Sequence, residues 1–292
     1  MKKTFHTFTK NYTMVEIGRT NKLIILKELD FGIYLDGENL GEILMPRRYV
    51  PIECKIGDEL EAFIYFDSED RIIATTEIPN AQVGEFAMLR VASVNAVGAF
   101  LDWGLSKDLL VPFREQKVKM QEGQWHIVYV YVDEESNRIA ASAKIDKYLG
   151  KETPTYEVSQ SVDLLICSLT DIGYKAIINN SHWGILYKNE IFQHLQKGQR
   201  IKGFIKKLRD DEKIDLCLSQ PGYDKIDGIA KDILAKLNEN NGFLNTTDKS
   251  PSEYIYEQFG VSKKVYKQAV GALFKKGLID IESNGIRATL EE

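Results

Sequence analysis

Three side chains at matched positions have the chemistry to bind a single-stranded nucleic acid. Tyr34, Phe100 and Lys175 each stand two residues after a glycine, in the stretches DFGIYLDG, AVGAFLDWG and DIGYKAIINN. Aromatic rings stack on nucleobases and lysines meet phosphates, so this position predicts a contact platform. Phe31 and Trp103 lie close by in sequence and would extend the platform. The competing interpretation is that these rings cover loops or pack against a neighbouring domain.

The element that must position these side chains is a unit that occurs three times. Gly32, Gly98 and Gly173 are each followed by a second glycine 25 residues later, at positions 57, 123 and 198. After each second glycine come an apolar stretch, a charged turn (DSEDR, DEESNR, RDDEK) and another apolar stretch. Self-similarity of this kind indicates a repeated structural unit.

Each unit has the pattern of five short strands separated by turn signals, which predicts a small barrel or sandwich. The first glycine is expected to mark a bulge or tight bend, where a side chain would obstruct the curvature of the barrel. Alternation along the second strand places the residues one and three after this glycine inside the barrel. The residue two after it therefore points outward, which is where Tyr34, Phe100 and Lys175 stand.

The third unit also carries a basic run. Between positions 188 and 213 there are eight Lys or Arg residues and four Asp or Glu residues. An electrostatic track for a polyanion is one interpretation, and a charged strand edge that resists aggregation is the other. The candidate binding residues of this unit, besides Lys175, are Tyr187, Lys188, Lys206, Lys207 and Arg209.

From position 223 the pattern changes to three helical segments, YDKIDGIAKDILAKLNEN, SPSEYIYEQFG and VSKKVYKQAVGALFKKG, followed by the hairpin LIDIESNGIRATL. Ser250 is the expected N-cap of the second helix and Ser262 that of the third. This order is that of a winged helix, a helix-turn-helix variant.

The third helix has one apolar and one basic face. Val265, Ala269, Ala272 and Leu273 share the face expected to be core. The lysines of the opposite face are candidates for phosphate contact, although a solvated face or a protein-binding role remains open. The lysines that fall mostly on this face are Lys263, Lys264, Lys267 and Lys275, and the first three are the candidate binding residues.

Composition limits the functions that the chain can have. The net charge of −5 argues against a strong, indiscriminate nucleic-acid binder, and residues 14–79 are the most acidic segment, with 7 Lys or Arg against 14 Asp or Glu. The sequence has no apolar run long enough to span a membrane, no secretory signal and no Cys-x-x-Cys spacing. Nucleotide-binding, hydrolase and zinc-protease motifs are absent, so we expect no enzymatic activity, no metal and no cofactor. Carboxylates gathered in the charged turns could hold a divalent ion, but solvated turns are the simpler explanation.

The repeated pattern resembles the S1 domain, an OB-fold RNA-binding barrel, over residues 14–77, 80–147 and 157–220. The resemblance rests on a strand, the glycine with an aromatic residue two positions later, a short third strand and the glycine of the closing strands. It implies that the residue beside the first glycine, the residue two after it and one on the third strand meet the nucleic acid. These positions are Phe31, Tyr34 and Met45 in the first unit, Val97, Phe100 and Val111 in the second, and Ile172, Lys175 and Tyr187 in the third.

The predicted fold is mainly β, with three tandem five-stranded OB-fold, S1-like barrels followed by a small α+β winged-helix domain. The expected domains are residues 1–79, 80–150, 151–221 and 222–292. This order resembles the conserved virulence factor B (YitL-type) family of bacterial proteins over almost the whole chain. The resemblance implies a cytoplasmic, non-enzymatic RNA-binding protein that regulates gene expression.

The expected partner is single-stranded RNA, with DNA as an option at the winged helix, and neither a membrane nor a small-molecule substrate is expected. The alternative function is that of a protein–protein adaptor that docks on a ribosomal, RNA-processing or transcription component. Binding that survives removal of RNA would distinguish the adaptor from the RNA-binding protein.

Overall fold

The computed structural model describes residues 14–191, 193–218 and 224–289. The chain divides into two compact units, Met1–Tyr148 and Leu149–Glu292. The described residues form three five-stranded barrels and a small helical and sheet region of the winged-helix type, which confirms the predicted fold class.

The first unit contains two barrels. The first barrel is closed in the order β1-β2-β3-β5-β4, and the second forms a sheet in the order β10-β9-β6-β7-β8. The strands are β1 (Thr20–Leu29), β2 (Gly32–Asp36), β3 (Glu42–Pro46), β4 (Glu59–Phe66), β5 (Ile72–Thr75), β6 (Phe86–Val94), β7 (Gly98–Asp102), β8 (Leu109–Pro112), β9 (Trp125–Val132) and β10 (Ile139–Ser142).

The second unit contains the third barrel and the winged helix. The barrel is closed in the order β11-β12-β13-β15-β14, which is the order of the first barrel. Its strands are β11 (Ser161–Leu169), β12 (Gly173–Ile178), β13 (His182–Tyr187), β14 (Arg200–Leu208) and β15 (Ile214–Cys217). The winged helix consists of α1 (Asp224–Glu239), β16 (Phe243–Leu244), α2 (Ser252–Phe259), α3 (Lys263–Lys275), β17 (Ile279–Ile281) and β18 (Ile286–Ala288).

The first glycine of each barrel is explained by a close approach of two backbones. A Cβ atom would lie 2.2 Å from the Met45 carbonyl oxygen at Gly32, 2.4 Å from that of Val111 at Gly98, and 2.1 Å from that of Leu186 at Gly173. The second strand therefore tolerates no side chain at this point, as expected.

A bulge lies on the first strand, and not at the glycine where the sequence predicted a bulge or tight bend. In each barrel it interrupts the first strand, between Ile25 and Lys27 in the first barrel and at the matching places in the other two. It lies directly before the residue that pairs with Tyr34, Phe100 or Lys175. A bulge increases local twist, so it bends the first strand next to the candidate platform.

The second glycines confirm the repeat. The backbone N–H of Gly57, Gly123 and Gly198 each donates to a carbonyl on the first strand of its own barrel, at 2.9, 2.9 and 2.7 Å. The acceptor in each case is the residue immediately before the bulge. One backbone contact thus recurs three times.

The winged helix matches the predicted order, with differences in detail. The Val265 N–H donates to the Ser262 hydroxyl, which confirms the cap of α3. Pro251, and not Ser250, is the N-cap residue of α2, because the Ser250 hydroxyl instead accepts from the Thr247 N–H. The sheet gains one strand that the sequence pattern did not reveal, β16, which pairs with β18.

The buried face of α3 is turned relative to the prediction. Tyr266, Ala269, Val270 and Leu273 are buried, whereas Val265 and Ala272 are only partly buried. Tyr266 packs its ring against that of Phe259 in α2, at a centroid distance of 5.0 Å. The core of the winged helix therefore includes a large aromatic ring, whereas the predicted core face of α3 contained only aliphatic residues.

Candidate nucleic-acid interface

Alternation on the second strand places the side chains as predicted. The residues one and three after the glycine are buried in every barrel, whereas Tyr34, Phe100 and Lys175 are half-buried on the outer face. The buried residues are Ile33, Leu35, Ala99, Leu101, Tyr174 and Ala176. An outer face built from the second and third strands therefore exists on each barrel.

The resemblance to the S1 domain implied a contact residue on the third strand of each barrel. Two of these residues do not lie on this outer face. Met45 and Val111 are fully buried in the cores of their barrels, because they pair with the inward residues Ile33 and Ala99. The outward residue that pairs with Tyr34 is Leu44. Only Tyr187 of the third barrel is placed for contact, since it pairs with Gly173 and is half-buried.

Trp103 does not extend the platform of the second barrel. Its side chain is only 3% exposed, and its ring packs edge-on against Phe63 of the first barrel at a centroid distance of 5.7 Å. The indole N–H donates to the Lys107 carbonyl at 2.7 Å. The expectation that Trp103 meets a ligand is therefore corrected, and the ring instead fills the junction between the first two barrels.

Residues 103–107, which we call the docking segment, attach the second barrel to the first. The Ser106 hydroxyl lies 3.4 Å from the Tyr49 hydroxyl and 3.3 Å from that of Tyr65. Lys107 Nζ donates to the Asp67 carbonyl at 2.6 Å and forms an ion pair with Asp70 at 3.1 Å. Burial at this junction raises the pKa of Tyr65 to about 12, so the phenol stays protonated.

The third barrel carries an open groove on its outer face. The groove has a volume of about 740 Å³ and is lined by Lys175, Trp183, Tyr187, Arg209 and Asp215, among others. These residues come from β12, β13, β15 and the turn after β14. The lining holds the rings of Trp183 and Tyr187, three cations and four carboxylates. The rings and cations have the chemistry of a single-strand binding surface.

Trp183 is a residue that the sequence interpretation missed. The ammonium group of Lys175 lies 3.6 Å from the centroid of the Trp183 ring, a cation–π contact. Strand β13 begins at His182, so period-two alternation back from Tyr187 places Trp183 on the same outer face as Ile185 and Tyr187. That alternation is the signal that could have revealed it, had it been followed back from Tyr187 to the start of the third strand.

Tyr187, Arg209 and Asp215 form a connected polar cluster at the groove. The Tyr187 hydroxyl donates to Asp215 Oδ1 at 3.1 Å and accepts from Arg209 Nη2. Arg209 Nε donates to Asp215 Oδ2 at 3.1 Å. Burial, together with the bond to Asp215, raises the pKa of Tyr187, so the hydroxyl is kept protonated.

Carboxylates compensate much of the basic run that the sequence predicted as an electrostatic track. Lys206 is paired with Glu190, Arg209 with Asp215 and Lys213 with Asp211. Lys188 and Lys207 are exposed. Because paired cations release fewer counterions on binding a polyanion, these ion pairs reduce the electrostatic attraction that this part of the third barrel can offer.

The first two barrels present smaller aromatic surfaces. Phe31 is 56% exposed and meets Tyr34 edge-on at a centroid distance of 6.3 Å. Lys27 Nζ lies 4.5 Å from the Tyr34 centroid and is itself paired with Glu42. Phe100 is half-buried at the matching position of the second barrel.

The lysines of the winged helix lie on the surface of α3. Lys264 and Lys267 are exposed and Lys263 is half-buried. Lys267 forms an ion pair with Asp248 at 3.3 Å. Lys267 is thus partly compensated, whereas Lys263, Lys264 and the exposed Lys275 also lie on α3.

Within the described residues, no group of three or more His, Cys, Asp or Glu side chains could hold a metal ion. The turn carboxylates form ion pairs within the fold: Asp67 binds Arg71 and Asp133 binds Arg114.

His182 bridges the Tyr156 hydroxyl at 2.9 Å and the Glu152 carbonyl at 2.7 Å, which holds residues 152–156 beside β13. None of the helices in the described ranges has both the length and the apolar character needed to cross a membrane.

Comparison with known proteins identifies the types of domain in this chain. The S1 domain family matches residues 17–77 and 83–144, which cover the first two barrels, and the CvfB-like winged helix domain matches residues 231–287. The protein is thus built from S1 domains and a CvfB-like winged helix. Both kinds of domain support nucleic-acid binding.

Two relatives are similar to this chain over most of its length. The protein YitL of Bacillus subtilis is 29% identical over 92% of both chains, and conserved virulence factor B of Staphylococcus haemolyticus is 26% identical over 81% of this chain and 82% of its own. The protein is therefore a homologue of YitL and conserved virulence factor B. A solved multidomain protein with nucleic acid binding domains from Streptococcus pneumoniae is 22% identical, covers 94% of this chain and 98% of its own, and has a TM-score of 0.38.

Proposed function

We propose that the protein binds single-stranded RNA without catalysing its chemistry, and that it acts on gene expression in the cytoplasm through this binding. The groove of the third barrel is the main contact site in this proposal. The observation that supports this proposal most directly is that Trp183, Lys175 and Tyr187 lie on one outer face of the third barrel. Bases stack on such rings regardless of sequence, at about 1–3 kcal/mol per base.

The other candidate surfaces act as weaker secondary contacts. Phe31 and Tyr34 on the first barrel and Phe100 on the second offer further stacking positions along a strand. Lys188, Lys207, Lys263 and Lys264 add charge. Several weak sites on one chain raise the overall affinity through effective concentration, which suits a protein of net charge −5.

The test is titration of a labelled, unstructured single-stranded RNA, followed by fluorescence anisotropy. Replacing Trp183 by alanine should lower affinity about tenfold or more, since one stacking contact is lost. Trp125→Ala is the matched control, because Trp125 is 54% exposed on β9 of the second barrel, outside the groove. Equal curves for the Trp183→Ala variant and the unmodified protein would remove the groove from the binding site.

A second arm addresses the preference for RNA. The same titration with DNA of matching sequence should give weaker binding, because only RNA carries the 2′-hydroxyl that distinguishes the two at close contact. Equal affinities would mean that the groove binds single strands of either kind.

An adaptor role is the alternative, and exposed rings on the winged helix favour it. Tyr254 is 41% exposed and Phe274 is 51% exposed. Aromatic residues of this kind are enriched at protein interfaces. A partner recovered equally with and without nuclease treatment, and lost in a Phe274→Ala variant, would favour the adaptor.

A further inference from the structure

The guanidinium group of Arg209 is held in one orientation by two neighbours. Its Nε lies 3.0 Å from Oδ1 and 3.1 Å from Oδ2 of Asp215, while Nη2 donates to the Tyr187 hydroxyl. The Tyr187 hydroxyl donates in turn to Asp215. The three side chains close a triangle, so the plane of the guanidinium is set before any ligand arrives.

Burial anchors this triangle. Asp215 is 8% exposed, so its carboxylate must keep a cationic partner. The side chain of Arg209 is 39% exposed and its residue lines the groove. The inner edge of the guanidinium is thus committed to the protein, and the group as a whole stays accessible.

The outer edge of the guanidinium retains donors for a ligand. Among the described residues, the bonds above use Nε–H and one N–H of Nη2, which leaves Nη1 and the second N–H of Nη2. These donors form a planar fork that suits two acceptors side by side. O6 and N7 of guanine form such a pair, and so do two oxygens of a phosphate.

Two observations favour the base over the phosphate. Asp215 already compensates the charge of Arg209, which weakens attraction to a phosphate but leaves the directional hydrogen bonds intact. Trp183 lies in the same groove, so a base stacked on that ring brings its edge toward the groove lining. A prearranged fork also loses less side-chain entropy on binding.

We infer that Arg209, oriented by Asp215 and Tyr187, reads the O6 and N7 edge of a guanine base in the groove of the third barrel. This inference rests on the proposed function, and it adds a base preference to a site that would otherwise stack any base. The first barrel lacks this triangle, because Ile73 stands at the register position of Asp215.

The experiment compares oligonucleotides that differ in one base. Adenosine RNA with a single central guanosine is titrated against the same RNA in which that guanosine has a C–H group in place of N7, and against the inosine version, which keeps O6 and N7. A good bidentate pair is worth about 1–3 kcal/mol, so guanosine and inosine should bind about tenfold more tightly than the N7-deficient base or adenosine.

Arg209→Lys retains the charge but lacks the fork, and it should abolish this tenfold difference. Lys213→Gln is the matched control, because Lys213 lines the same groove and its loss should leave the preference unchanged. Thermal unfolding of each variant verifies that the barrel is intact.

The outcomes separate this inference from the proposed function. Equal binding of all four RNAs to the unmodified protein overturns the guanine preference, while dependence on Trp183 would still support RNA binding. A uniform loss of affinity for all four RNAs in Arg209→Lys also overturns it, since the contact is then to a phosphate. No binding of any RNA would refute the proposed function itself.

Discussion

The first and third barrels use the same outer surface in opposite ways. Ile73 pairs with Leu44 in the first barrel, and Asp215 pairs with Ile185 at the equivalent register position of the third. Ile73 is 4% exposed because it shares a hydrophobic cluster with Trp103 of the docking segment. Asp215 instead binds Arg209 and lines an open groove.

This difference shows how a repeated fold divides its tasks. An apolar residue at that position can be covered by a neighbouring barrel, and its burial stabilises the junction. An acidic residue there requires a polar partner, which brings Arg209 to the groove. The resemblance to S1 domains in sequence is shown for the first two barrels, yet the third barrel has the groove with rings and cations.

The largest expected effect concerns the covered surface. Trp103→Ala should lower the free energy of unfolding of the first unit by about 3–5 kcal/mol, because a buried ring and its hydrogen bond are removed. Urea unfolding gives the energy, and hydrogen exchange of β4 and β9 locates the loss.

Trp125→Ala is the control and should stay within about 0.5 kcal/mol of the unmodified protein. The RNA affinity of the Trp103→Ala variant should be unchanged, because the groove lies in the third barrel and Trp103 lies between the first two. A loss of RNA affinity as large as that of Trp183→Ala would break the contrast between the two surfaces.

A smaller effect is expected on the aromatic surface of the first barrel. Phe31→Ala should weaken RNA binding about fivefold or less, at the low end of stacking energies of about 1–3 kcal/mol per base, because residues 14–79 are acidic. Phe100→Ala should behave in the same way on the second barrel. Anisotropy titrations measure both, and a loss greater than that of Trp183→Ala would reassign the main site to the first two barrels.

The smallest effect concerns pH and the docking segment. Hydrogen bonding to Lys107 holds the pKa of Asp70 below its ordinary value, and Arg138 lies 2.5 Å from the same carboxylate. A carboxyl whose pKa is lowered by folding contributes stability above its ordinary pKa of about 4, and this contribution is lost as the pH falls through the lowered value.

Asp70→Asn should therefore lower the Tm at pH 7, and the difference from the unmodified protein should shrink as the pH falls below about 4. Differential scanning calorimetry at a series of pH values measures this convergence. A Tm difference that stays constant down to pH 3 would show that the amide disrupts packing and that the carboxylate charge has no part in it.

Local patterns in the sequence predicted much of the fold. Period-two alternation assigned the faces of the second strand correctly, because side chains of a strand alternate regardless of what packs against it. The glycines identified the close approach of the second and third strands. Met45 and Val111 were wrongly expected to contact a ligand. The outward face of a short strand is known only when its pairing register is known exactly, because a shift of one residue exchanges the two faces.

The two tryptophans show the limit of prediction from local sequence patterns. Trp103 was expected on a ligand surface and is buried, and Trp183 was not among the predicted binding residues but lies in the groove. Both belong to segments that connect or begin strands, where alternation is weakest. Their environments depend on residues far away in the sequence, such as Phe63 for Trp103.

The sequence by itself determined the threefold repeat, the strand faces and the order of barrels and winged helix, since these follow from spacing and periodicity within short segments. Only the tertiary structure decided which outer surface is covered and which is open, because that choice depends on contacts between segments tens of residues apart. It also decided which cations of the basic run are compensated by carboxylates, since charges counted along a chain carry no information about their partners in space.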